Sequence, residues 1–288
     1  MTLRTLHPGA SILLALATTQ PGDVIELLSG VYDGVSTYAG MVYGGASWTT
    51  RVKVRAAKGQ HPIIKAAPSQ RCLWLAHPSA SYIEFSGIDF DEYGGGPDAI
   101  KITHSVSDEA YCSHHIRLSD CTIKGSPGQG ALITSHHNEL IRCKVHHNGT
   151  VDLDHGIYIS GAYNLVQDCD VSENAGWGIH VYNGTDNGAD HNRILGNRCY
   201  DNARALGRGA GIAMASGTGG VVVGNVCWNN AHGIQVTATA SKVTMDRNVL
   251  FGNLTALYGS TDLLIEPGAT FKSQFGNLFP LYTSQAVA

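Results

Sequence analysis

No run of about 18 apolar residues occurs in the sequence, so no segment reads as a membrane-spanning helix. Basic residues are not in excess. Nineteen Lys and Arg stand against 23 Asp and Glu, and a net charge of −4 argues against a nucleic-acid backbone as partner. Charge of either sign is scarce, 15% of residues against 43% apolar, which excludes a disordered chain and is unlike an ordinary helical protein. Cys-x-x-Cys pairs are missing and seven cysteines is an odd count, so neither a disulfide framework nor a zinc site is the first reading. The opening residues, Met1-Thr2-Leu3-Arg4-Thr5-Leu6, lack the apolar core and cleavage site of a signal peptide. The chain is then cytoplasmic, or secreted or periplasmic with its leader outside this sequence.

What the sequence has in quantity is glycine, 35 residues, and histidine, 14. A chain that turns often needs a residue without a Cβ. The glycines mark a repeat of the form small, apolar, any, apolar: Gly130-Ala131-Leu132-Ile133, Gly156-Ile157-Tyr158-Ile159, Gly178-Ile179-His180-Val181, Gly211-Ile212-Ala213-Met214 and Gly233-Ile234-Gln235-Val236. Ala99-Ile100-Lys101-Ile102 reads as an earlier copy. Alternation puts the apolar pair inside and the residue between them outside.

A second strand follows each copy. Cys121, Cys143, Cys169, Asn197, Asn225 and Asn248 share one column, and Ile123, Val145, Val171, Cys199, Cys227 and Leu250 share an inward one. A third column holds Ser126, Asn148, Asn174, Asn202, Asn230 and Asn253, and its Asn-to-Asn steps of 26, 28, 28 and 23 residues give the length of a coil. Asparagine suits a bend, because its amide tolerates left-handed geometry and can bond to its copy one coil away. The outward charges alternate in sign twice, as Asp120, Arg142, Asp168 and as Lys144, Asp170, Arg198. In-register parallel stacking sets each about 4.8 Å from its opposite. The fold class is therefore all-β, a solenoid of stacked parallel coils.

Residues 11–19 read as a short apolar helix that could cover the open end of the core, before Pro21-Gly22-Asp23-Val24-Ile25-Glu26-Leu27 and Gly30-Val31-Tyr32. In these segments the chain resembles the pectate-lyase-like superfamily of right-handed parallel β-helix proteins. The resemblance covers nearly the whole chain. It implies a single-stranded right-handed β-helix with a short N-terminal capping helix. Residues 1–30 would form the cap and first strand, 31–262 the coils, and 263–288 a C-terminal cap or tail, one domain overall. Lyases, hydrolases, epimerases and phage tailspikes share that fold, so activity must be argued from the site.

Insertions on a regular coil are where function sits. From ladder asparagine to the next glycine the step is 4 at Asn174 and 3 at Asn230, but 8 at Asn148 and 9 at Asn202. The long corners, 149–155 and 203–210, project from one edge about 10 Å apart, a cleft width that suits a sugar chain. Asp152, Asp154 and His155 stand on one wall, and Arg204 and Arg208 on the other. Trp177, Tyr158, His180 and Tyr182 form the floor, with Lys101 two coils below Tyr158. Each has an ordinary reading as well. Trp177 could brace a corner, Tyr158 and His180 could be exposed sheet residues, and Asp154 could cap the loop. Arg208 could neutralise Asp152 or Asp154, and Lys101 could be a surface lysine.

The chemistry this set suits best is proton removal next to a uronic-acid carboxylate, by a lyase or epimerase. It needs a base, a proton donor and a group that neutralises the carboxylate. Tyr158 and His180 would be base and acid in either order, Arg208 or Lys101 the neutralising group, and Asp154 the residue that orients His155 or His180. Trp177, Tyr182, Lys101, Asp152 and Arg204 would bind an acidic polysaccharide. A likeness to mannuronan epimerases and alginate lyases supports this, although their Asp-Pro-His element is here Asp152-Leu153-Asp154-His155. The stretch from Asp154 to Gly161 also resembles the Gly-His-Gly strand of polygalacturonases. The paired aspartates that precede that strand have no counterpart in register, and Gln167-Asp168-Cys169 lies on another face. A glycan-binding or tailspike-like β-helix without catalysis is the third reading.

Elsewhere, His114-His115 and His136-His137 stack at one corner, with Tyr163 and His191 continuing the column. Imidazoles so placed could hold a transition metal, but corner stacking is the commoner use, and no metal ligand set is assigned. No calcium site is evident either, and the resemblance leaves a calcium requirement open. An outward column of Lys124, His146, Ser172, Tyr200, Trp228 and Phe251 ends in three aromatics, over which a tail bearing Phe279, Leu281 and Tyr282 could lie. The sequence does not fix the oligomeric state.

Overall fold

A computed structural model describes residues 1–36, 42–93, 95–102, 112–184, 188–203, 209–237, 239–253 and 262–278. Nearly all regular structure is parallel β-strand, in three long sheets that the chain visits in turn. The coil after Asn138 shows the cycle. Glu139–Ile141 lies in the first sheet, Lys144–His146 in the second and Ile157–Ile159 in the third, and Leu165–Gln167 then stacks back on Glu139–Ile141. Among the described residues the first sheet has eleven strands, from Leu3–Leu6 to Phe271–Phe275, and the other two have nine each. The strands Leu263–Ile265 and Phe271–Phe275 pair with the coils before them, so the sheets run on past residue 262 and into the segment expected to be a tail. No helix among the described residues is long and apolar enough to cross a membrane.

Strands of three residues suffice because each presents one apolar side chain or two to a shared core. Ile123, Val145, Val171, Cys199, Cys227 and Leu250 lie directly over one another and are fully enclosed. All seven cysteines are buried, which suits small apolar fillers of a narrow core. The N-terminal helix is shorter than the sequence suggests, Ile12–Leu16, with the Ser11 hydroxyl accepting from the Leu14 amide. Its Ile12, Ala15 and Leu16 side chains join the core.

Corners are made by single residues in the left-handed region. Between first and second sheets these are Asp120, Arg142 and Asp168, with φ of 55°, 53° and 54°, followed by Gly196 and Gly224 one and two coils on. An L side chain there costs roughly 1–2 kcal/mol. The two Asp120–Arg142 hydrogen bonds, 2.7 and 2.8 Å, offset part of it. Arg198 likewise bonds Asp170 across the second sheet, as the alternating signs required.

The asparagine column is a continuous ladder. The Oδ1 of Asn202 accepts both the backbone N–H of Asn174 (3.2 Å) and its side-chain amide (2.9 Å). Its own Nδ2 donates to Val171 O and to Asn230 Oδ1. Every polar atom of the amide is thus satisfied without water. A second ladder runs through Cys169, Asn197, Asn225, Asn248 and Asn277. A third joins Asn138, Asn164 and Asn192, which the sequence reading passed over although each follows a member of the histidine corner column.

That corner column is a ring stack, Tyr82, His115, His137, Tyr163 and His191, with centroids 4.5 to 5.0 Å apart and every residue left-handed. No group of three or more potential metal ligands occurs among the described residues. On the second sheet Tyr200 and Trp228 stack at 4.3 Å and Trp228 and Phe251 at 6.0 Å. Phe279, Leu281 and Tyr282, expected over that stripe, lie outside the described residues.

Candidate functional site

The outer face of the third sheet carries the site. In-register pairing strings Trp74, Lys101, Leu132, Tyr158, His180, Ala213 and Gln235 into one column, so Lys101 lies two strands from Tyr158, and Tyr158 directly opposes His180. Three residues earlier runs a second column in which Asp98 pairs with Gln129, and the backbone bonds from Gly130 N to His155 O and from Gly156 N to Trp177 O carry it on to His155 and Trp177.

The insertion 149–155 is rigidly tied. Gly149 turns it at φ 87°, where a Cβ would strike Asp154 and Ala175. The Asp154 carboxylate accepts the amides of Thr150 (2.9 Å) and Val151 (3.0 Å) and the Thr150 hydroxyl (3.3 Å). This corrects the role expected of Asp154. Its carboxylate bonds neither imidazole but closes the loop on itself, because a carboxylate three and four residues past free amides bonds them first. Gln129 clamps the loop from below, accepting the His155 amide at 2.6 Å and donating to Leu153 O at 2.9 Å.

His155 is 3% exposed and therefore lies beneath the surface rather than on the cleft wall. Its Nδ1 accepts the backbone N–H of Trp177 at 3.3 Å, and its Nε2 lies 2.9 Å from His180 Nδ1. Trp177 is also enclosed, at 7% exposure. Its ring stacks on His180 at 4.9 Å and its indole N–H donates to Gln235 Oε1 at 3.1 Å. A sugar platform needs an open ring face, so Trp177 braces the site instead. His180 stacks in parallel with both Trp177 and Tyr182 (5.5 Å), and Tyr158 tilts against it at 5.4 Å. Tyr182 is exposed, whereas Tyr158, His180, Lys101 and Asp152 are half-buried. Arg204 and Arg208 lie outside the described residues.

Burial dominates the electrostatics. It holds the His180 pKa down to about 4 and, with repulsion from His180 added, that of His155 to about 2. It raises the Tyr158 phenol, helped by Tyr182, and lowers the Lys101 ammonium, helped by Arg71. Both imidazoles are therefore neutral at pH 7. An unfolded imidazole takes up its proton near pH 6.5, so below that value the unfolded chain binds protons that the folded one refuses. Stability should fall on acidification from about pH 6.5, by up to about 1.4 kcal/mol per pH unit for each histidine. Denaturation midpoints of wild type and a His155→Gln/His180→Gln double variant check this, the variant giving the flatter profile.

Sequence reasoning missed the floor below Lys101. Arg71 donates twice to Asp98 Oδ2, at 3.1 and 3.0 Å, and lies 4.8 Å over the Trp74 ring. Their strand was overlooked because Cys72 takes the place of the marker glycine, although Leu73-Trp74-Leu75 keeps the alternation.

The model of the family described as the right handed beta helix region matches residues 98–266. The chain belongs to that family. No curated protein sequence matches this β-helix significantly. Solved structures do. An alginate lyase from Paenibacillus sp. str. FPU-7 superposes with a TM-score of 0.65 at 15% identity, over 97% of this chain and 98% of that one. A pectate lyase, Pel9A, gives 0.61 at 13% identity, over 96% and 79%. The A-module of a mannuronan C-5 epimerase from Azotobacter vinelandii gives 0.57 at 15%, over 90% and 83%. The chain thus shares the right-handed parallel β-helix fold of these proteins, and identities this low speak for fold alone.

Proposed function

We propose that this β-helix acts on a uronic-acid-containing polysaccharide, as a lyase or epimerase that removes the proton next to the sugar carboxylate. The observation that carries the reading is the register of Tyr158 opposite His180, rings 5.4 Å apart, with the Lys101 cation on the same column two strands away. A polymer lying across the strands would meet Tyr158 and His180 at one sugar. About 10 Å further on, Lys101 would meet the carboxylate of another unit. Lys101 has no hydrogen-bond or ion-pair partner among the described residues, whereas Arg71 beside it is committed to Asp98. Tyr182, exposed beside His180, offers an apolar face to a pyranose ring. The enzymes named above, which act on pectate, alginate and mannuronan, make acidic polymers the first substrates to try.

A polygalacturonase-like hydrolysis has less support. It needs two carboxylates facing each other across the bond, but Asp98 is paired with Arg71 and Asp154 is spent on its loop. Incubating the protein with polygalacturonate, polymannuronate and polyguluronate decides among the readings. A lyase produces absorbance at the unsaturated-uronate band, and an epimerase alters uronate composition without it. Reducing ends without absorbance would mean a hydrolase. Binding without any product would leave a glycan-binding β-helix, and either outcome would overturn the proposal.

A further inference from the structure

The two histidines and one backbone amide form a relay that can be read in only one direction. The Trp177 N–H is a permanent donor, so the His155 Nδ1 it meets must carry a lone pair. A neutral imidazole has one proton, so that of His155 sits on Nε2, 2.9 Å from His180 Nδ1. His180 Nδ1 must then accept, and the single proton of His180 sits on its own Nε2. That atom has no protein partner among the described residues and is not enclosed.

We propose that His155 is a positioning residue that locks His180 as the Nε2–H tautomer, so that His180 presents a neutral hydrogen-bond donor, not a base, to the carboxylate of the reacting uronate. The role given to the substrate rests on the functional reading above; the tautomer lock does not. The opposite assignment, His180 as proton acceptor at Nε2, would require Nδ1–H on His180 and then Nδ1–H on His155. That would point a donor at the Trp177 donor inside a 3%-exposed site. A flipped His180 ring would put Cδ2 where Nδ1 now meets His155 Nε2 and lose that bond, which leaves the His155 donor unpaired. Burial keeps both rings uncharged at neutral pH, so each carries a single ring proton.

The division of labour follows. With His180 confined to donating, Tyr158 is left to handle the proton. In the lyase form its phenolate takes the proton from C5, the C–H electrons form the C4–C5 double bond, and the C4–O4 bond breaks. The new phenol proton then passes to the departing O4. Atoms and charge balance with no further reactant. His180 stabilises the charge that builds on the carboxylate, as a preorganised neutral donor does best where water is excluded.

Long-range proton–nitrogen-15 correlation spectra of the histidine rings test the lock without any substrate. Both His155 and His180 should show the neutral Nε2–H pattern between about pH 5.5 and pH 8. An Nδ1–H pattern at either ring, or a protonated His180, would overturn the proposal. In His155→Gln the side-chain amide can still accept from Trp177 and donate to His180, so His180 should keep its tautomer. In His155→Phe the donor is gone and an Nδ1–H population should appear at His180. A folded His155→Phe whose His180 signal is unchanged would refute the positioning role. If that variant does not fold, the wild-type and His155→Gln spectra decide. Polymers that all remain unaltered would defeat the functional reading and leave the relay standing.

Discussion

Tyr158→Phe should lower turnover of a uronate polymer by about 10²–10⁴-fold, the usual contribution of a positioned proton-transfer group. Only the hydroxyl is lost. The ring keeps its packing against His155 (5.5 Å) and His180 (5.4 Å), so the denaturation midpoint should stay close to wild type. The loss should fall on kcat more than on KM, because the phenol acts as the proton moves. Its pKa is raised above the ordinary value of 10 by burial and by Tyr182, so the reactive phenolate is a small fraction at neutral pH. The rate should therefore rise with pH toward and past 10, about tenfold per unit. Initial rates of absorbance increase across a pH series give both results. A Tyr158→Phe enzyme of near-normal rate, or a wild-type optimum on the acid side, would remove Tyr158 from the chemistry.

Asn174→Ala should destabilise the fold by about 2–5 kcal/mol, measured as a shift in guanidinium midpoint. Asn174 is fully buried at the centre of its ladder. Its Oδ1 accepts the Asn148 N–H (3.2 Å) and Nδ2 (3.0 Å), and its Nδ2 donates to Val145 O (3.1 Å) and Asn202 Oδ1 (2.9 Å). Truncation leaves both the Asn148 N–H and its Nδ2 without that acceptor at a fully buried position. Asn174→Asp has the same shape and should be at least as damaging, because a carboxylate oxygen would then face two acceptors.

The architecture was legible because a solenoid writes its contacts into sequence spacing. A residue one coil on is a touching neighbour, so sign alternation at Asp120, Arg142 and Asp168, or repetition at Asn174, Asn202 and Asn230, reports three-dimensional contact directly. Tyr158 opposite His180 was readable for the same reason. What spacing does not report is depth. Trp177 and His155 belong to the right columns, but whether a ring lies on the sheet or under its neighbours depends on the loop 149–155 and on Gln235, two coils away. Asp154 was misjudged because free amides lie three and four residues back in its own loop, and local bonding beats a partner in another coil. Arg71 and Asp98 escaped notice where the coil marker changes from glycine to Cys72 and Ala99.

The side-chain amides of the ladder all face the same way. Each one from Asn148 to Asn230 donates to the next toward the C-terminus, and Asn253 passes both its backbone and side-chain donors to one carboxylate oxygen of Asp262. Aligned head to tail, their dipoles add along the axis, and the positive end of the file meets an anion. This file of amides thus has an electrical polarity independent of net charge, and it ends at Asp262 on an acceptor-only group. A chain cut between Asn253 and Asp262 would expose the donor end of that file, a surface suited to the carboxylates of an acidic polymer or to the next copy of itself.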